Sequence, residues 1–96
     1  MGLRHMGSAV YVDEEAPGAW KNGTRVVKTK LLDEREATAV GMTGAILGSM
    51  VMPLEAVNEI LEQLGLADIR FGYWVEWDDK PGLPVFCLDQ KLGVAP

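Results

Sequence analysis

Residues 72–86, Gly-Tyr-Trp-Val-Glu-Trp-Asp-Asp-Lys-Pro-Gly-Leu-Pro-Val-Phe, constrain the fold more than any other part of the chain. They carry four of its seven aromatic residues. Tyr73, Val75 and Trp77 alternate with Trp74 and Glu76, the period-2 pattern of a half-buried strand. Asp78, Asp79, Lys80, Pro81 and Gly82 are turn formers, and an apolar run resumes at Val85, Phe86, Cys87 and Leu88. The segment reads as a β-hairpin. The period places Trp77 in the core with Tyr73 and Val75. It leaves Trp74 on the opposite face, where an aromatic side chain marks a partner site or packs under another element.

The remaining elements follow from similar signals. Ala9 to Val12 reads as a short edge strand, and the acidic, Pro-Gly-containing stretch after it as a loop. Asn22-Gly23 is a turn signal before a β-branched strand over residues 24–31. A charged loop at residues 33–36 leads to a second strand over residues 41–50. Its Gly41, Gly44 and Gly48 imply a sharp bend or close backbone approach. Residues 53–64 form an amphipathic helix. Pro53 sits at its start, Leu54, Val57, Ile60, Leu61 and Leu64 line one face, and Gly65 is placed to cap it. A short turn over residues 89–92 precedes a last strand at residues 93–95. Residues 1–8 contain His5-Met6-Gly7-Ser8, which resembles a cloning remnant, and are set aside as an expression leader. Residues 9–96 are then one domain.

Composition excludes several function classes. Nine basic residues against fourteen acidic ones give a net charge of −5, a poor start for neutralising phosphates, so nucleic-acid binding is disfavoured. No apolar stretch approaches the roughly 20 residues of a membrane span. Cys87 stands alone, so no internal disulfide forms, and a cytoplasmic protein is expected. The one histidine lies in the leader, which removes the usual neutral-pH proton carrier.

The run Gly23-Thr24-Arg25-Val26, then Gly44-Ala45-Ile46-Leu47-Gly48, Tyr73-Trp74-Val75-Glu76-Trp77-Asp78 and Val85-Phe86 with Leu92, resembles an SH3-like barrel. Within that shape the chain resembles the type II dihydrofolate reductases carried on plasmids and integrons. Residues 72–92 align with that family without a gap, sharing Gly72, Tyr73, Val75, Glu76, Pro81, Gly82 and Leu92. Gly23, Arg25, Val26 and Lys28 match its first strand. The resemblance implies a ligand-contacting role for Lys28. Where that family has Val-Gln-Ile-Tyr along its pore, this chain has Pro84-Val85-Phe86-Cys87, and the helix at residues 53–65 replaces a short loop. Those departures argue against reductase activity, because hydride transfer needs hydrogen bonds that orient its ligands. The chain also resembles small integron-borne cassette proteins.

Other candidate chemistry has plainer readings. Glu76, Asp78 and Asp79 form a carboxylate group, but Asp-Asp-Lys-Pro-Gly is a good turn without a metal. Cys87 lacks a neighbouring base in the sequence and reads as a core residue. The glycines of residues 41–48 follow no phosphate-loop spacing. The expected architecture is therefore α+β: a strongly bent antiparallel SH3-like barrel of about five strands with one inserted amphipathic helix. The expected function is a non-enzymatic binding or interaction module that self-associates and needs no cofactor. Trp74, Lys28, Tyr73 and Glu76 are its candidate ligand- or partner-binding residues. The alternative is a small-ligand-binding protein or enzyme related to the type II reductases.

Overall fold

A computed structural model describes residues 2–6, 9–31, 36–64 and 69–96. In chain order these form β1 (Leu3–Met6), β2 (Ala9–Val12), β3 (Arg25–Lys28), β4 (Thr43–Val51), α1 (Leu54–Leu64), β5 (Phe71–Trp77), β6 (Pro84–Leu88), a 3₁₀ turn (Asp89–Lys91) and β7 (Leu92–Val94). Five strands make an antiparallel sheet in the order β6-β5-β4-β3-β7, and β1 and β2 pair as a separate hairpin. Leu3–Met6, set aside in the sequence, supplies half of that hairpin, with Leu3 opposite Val12.

The expected α+β SH3-like barrel is corrected. Closing a barrel requires the two edge strands to bond each other. Here β6 pairs with β5 and β7 pairs with β3, and the two edges do not pair. The Asp89–Lys91 turn carries the chain from one edge strand to the other, and no ladder forms between those two edges among the described residues. The fold is predominantly antiparallel β, with one eleven-residue helix that does not amount to a helical layer. That helix begins one residue after Pro53, as the proline signal implies. The apolar stripe read at Leu54, Ile60, Leu61 and Leu64, the cap at Gly65 and most of the charged loop at residues 33–36 lie outside the described residues and side chains.

The period-2 reading of β5 holds on the inner face. Tyr73, Val75 and Trp77 are buried there with Val26, Ile46, Cys87 and Leu92. Trp20, Phe71, Met42 and Val85 pack around this core. Strand β4 changes phase midway: its register with β5 slips between Ile46 and Gly48, so Leu47 is an extra residue in the ladder. Past the slip, Gly48 and Ser49 are both buried. The chain leaving β2 crosses β4 at this point. The Ser49 N–H donates to the Glu14 carbonyl at 2.7 Å, and Ser49 Oγ accepts the Ala16 N–H at 2.9 Å. A Cβ on Gly48 would overlap the Val12 carbonyl oxygen, so the crossing requires glycine.

Gly48→Ala therefore forces the hairpin off β4. It is expected to cost roughly 1–3 kcal/mol, the usual range for overpacking, with faster amide exchange at Ser49. Urea denaturation reads the loss, and an unchanged midpoint would show that the crossing is not tight.

Candidate functional site

The third and fourth residues of β3 continue an inward–outward alternation, and this places an ammonium group inside the protein. Val26 and Lys28 lie two residues apart and so share a face of the strand. Val26 is in the core, and the Lys28 side chain is only 2% exposed. A buried cation requires a counter-charge. Glu36 supplies one, with Oε1 2.9 Å from Lys28 Nζ. The same oxygen accepts from Lys91 Nζ at 2.5 Å. Lys91 belongs to the 3₁₀ turn between β6 and β7, whose carbonyl accepts the Thr29 N–H at 2.7 Å. Three separate stretches of chain thus converge on one carboxylate.

Beside this trio lies a cavity of about 180 Å³. One wall carries Lys28, Glu36 and Lys91. Thr38 and Lys80 also line it, and Leu83, Val85, Phe86 and Cys87 supply apolar lining. Lys80 Nζ donates to Thr38 Oγ1 at 3.3 Å and to Asp79 Oδ2 at 2.9 Å. Among the described residues lining the cavity, three ammonium groups therefore face one carboxylate. Asp79 balances Lys80 from outside the lining, and Lys28 and Lys91 share Glu36.

Burial pushes the Cys87 thiol above its ordinary value. Lys28, Lys91 and the indole N–H of Trp77 pull it partly back. Trp77 Nε1 itself is buried without a partner that meets hydrogen-bond geometry, so its approach to Cys87 is a loose one. A protonated thiol makes Cys87 an apolar wall rather than a nucleophile.

The four residues singled out in the sequence do not form one site. Lys28 lines the lysine cavity. Tyr73 is buried in the core, its ring stacked on Trp20 with centroids 5.2 Å apart and its hydroxyl accepting the Trp20 backbone N–H at 3.1 Å. Burial raises its pKa above the usual value. Trp74 is half-buried on the outer face and meets Phe86 edge-on at 4.7 Å. Glu76 accepts the Gly82 N–H at 2.9 Å and so braces the hairpin turn. The neighbouring carboxylates are used separately: Asp78 pairs with Arg25 and Thr43, and Asp79 with Lys80. No group of metal-binding side chains occurs among the described residues, and no described helix is long and apolar enough to cross a membrane.

Sequence reasoning did not single out Glu36, Thr38, Lys80 or Lys91 as site residues. The signal for Glu36 was present: a lysine at an inward strand position implies a buried acid. Comparison with protein-family models, with curated proteins and with solved structures gave no match.

The raised thiol pKa fixes the sign of a pH effect. The folded state holds a proton that the unfolded chain releases near the ordinary thiol value of 9.0. This contribution to stability is complete below that pH and is lost as pH rises through the folded-state value. Stability of the wild type should therefore fall between pH 8.5 and 10 (roughly the thiol range) more steeply than that of Cys87→Ala. Equal slopes would contradict the burial of the thiol.

Proposed function

We propose that this domain is a non-enzymatic binding module for a small organic anion, a carboxylate or phosphate attached to a short apolar group. The observation that carries the reading is the sharing of Glu36 by the buried Lys28 and by Lys91 at the wall of the cavity. Two cations on one carboxylate, removed from bulk water, favour a further anion beside them. Thr38 adds a hydroxyl, and Val85, Phe86 and Cys87 offer an apolar surface to the rest of the ligand. The volume suits a ligand of about the size of one aromatic ring, since a cavity of roughly 150 Å³ admits benzene.

Lys28, which matches a ligand-contacting position of the type II reductases, lies on this cavity together with Val85 and Cys87, two positions at which the chain departs from that family. Here a valine and a protonated thiol stand where side-chain hydrogen bonds would be needed to orient a nicotinamide and a pterin. The reading is therefore capture of a small acid and not hydride transfer.

Calorimetric titration with benzoate, and with benzyl alcohol as its neutral counterpart, tests this. Benzoate should bind at least about tenfold more tightly, and Lys91→Met should remove most of that difference, the loss of one charge-assisted hydrogen bond of roughly 1.5–3 kcal/mol. Equal affinity for acid and alcohol, or indifference to Lys91→Met, would overturn the proposal.

A further inference from the structure

A second site lies beside Tyr73 and has the opposite chemistry. Trp20, Phe71, Tyr73 and Asp89 line an open depression between the Gly18 loop and the 3₁₀ turn. Its floor is aromatic. Trp20 stacks on Tyr73 with an interplanar angle of 23°, and Phe71 tilts against Tyr73 at 52° with centroids 6.2 Å apart. Trp20 and Phe71 are only half-buried, so both keep surface open to the depression.

Asp89 supplies the charge. Its Oδ2 accepts the backbone N–H groups of Arg70 and Phe71 at 3.0 and 3.2 Å, which fixes the carboxylate in place. Its Oδ1 is shielded from water and has no hydrogen-bond partner. No ion pair to Asp89 forms among the described residues, although the protein contains nine basic residues. An immobilised carboxylate with an unpartnered oxygen carries an uncompensated desolvation cost. A cation seated on the adjacent rings offsets it, because aromatic side chains attract cations and the carboxylate lies beside them in the same lining.

The geometry points to a binding site for a methylated ammonium head group, held by Trp20 and Phe71 and balanced by Asp89. A metal ion suits the site less, because Asp89 is the single carboxylate in a lining that is otherwise largely aromatic and apolar. A methylated ammonium carries its charge on an apolar surface and needs no hydrogen-bond acceptor. The head group can come from a free small molecule or from a methylated lysine side chain, and the chemistry of the site is the same for both. The site shares no lining residue with the lysine cavity, so this inference stands apart from the proposal above.

The test is titration of the ¹⁵N-labelled protein with tetramethylammonium chloride against sodium chloride at matched ionic strength. Saturable shifts at the Trp20 indole and the Phe71 amide are expected from tetramethylammonium alone. Choline and the amide of N-acetyl trimethyllysine are then compared with 3,3-dimethylbutanol, the neutral isostere of choline. Both cations should bind at least about tenfold more tightly than the alcohol. The tighter of the two identifies the source of the head group. Asp89→Asn keeps an acceptor for the two backbone N–H groups while removing the charge, and should weaken binding by about tenfold. Absence of saturable shifts in the wild-type protein, or equal binding of choline and the alcohol, would overturn the inference. The wild-type comparison decides it even where a variant fails to fold.

Discussion

An ammonium group on the inward face of a strand must be met by an acid, and much of this structure can be derived from that requirement. Lys28 ends β3 pointing the same way as Val26, into the protein. Its charge remains inside only because Glu36 reaches it from the segment before β4. Glu36 in turn holds Lys91, which fixes the 3₁₀ turn that links the two edges of the sheet. One carboxylate thus ties together β3, the approach to β4 and the passage from β6 to β7. The cavity is the space left beside this ionic knot, where the apolar side chains of β6 face it. Among the described residues lining the cavity, the lysines outnumber the carboxylates, in a protein whose net charge is −5.

The second organising element is β5, whose two faces do different things. Inward, Tyr73, Val75 and Trp77 form the centre of the core. Outward, Trp74 meets Phe86, and Gly72 leaves room for the Phe86 ring to lie over the strand. Tyr73 lies between the core and the aromatic depression. Its hydroxyl fixes the backbone of Trp20, and its ring is the surface on which Trp20 stacks. The proposed cation site is therefore built on β5, the 3₁₀ turn and a loop whose Trp20 is held by the hydroxyl and ring of Tyr73, as a pre-organised site requires.

Local features were legible in the sequence. The alternation at residues 73–77, the Asp-Asp-Lys-Pro-Gly turn, the helix start after Pro53 and the 3₁₀ turn near Asp89 all rest on short-range rules. The burial of Trp77 followed from the same alternation. Closure of the sheet was not legible, because it depends on whether β6 and β7 meet, and no local pattern encodes that. The glycines of β4 announced a close approach. That the Val12 backbone is the neighbour of Gly48 is a long-range fact. Tyr73 was read as a candidate ligand contact, but most of its ring is core, with only its margin at a site. Lys28 was singled out through resemblance, while its physical reason, an inward strand position needing an acid, could have led to Glu36 directly.

The central claim is that the Lys28–Glu36 pair is a strong interaction inside the protein and not a surface contact. A double-mutant cycle measures it most directly, with Lys28→Met, Glu36→Gln and the double variant compared by urea denaturation. Glu36→Gln takes the carboxylate from the buried Lys28 and should cost about 3–5 kcal/mol, Lys28→Met leaves Glu36 held by Lys91 and should cost less, and the double variant should recover much of the loss at Glu36→Gln. The account predicts a coupling energy above about 2 kcal/mol. A coupling below about 0.5 kcal/mol, the value typical of exposed ion pairs, would contradict it.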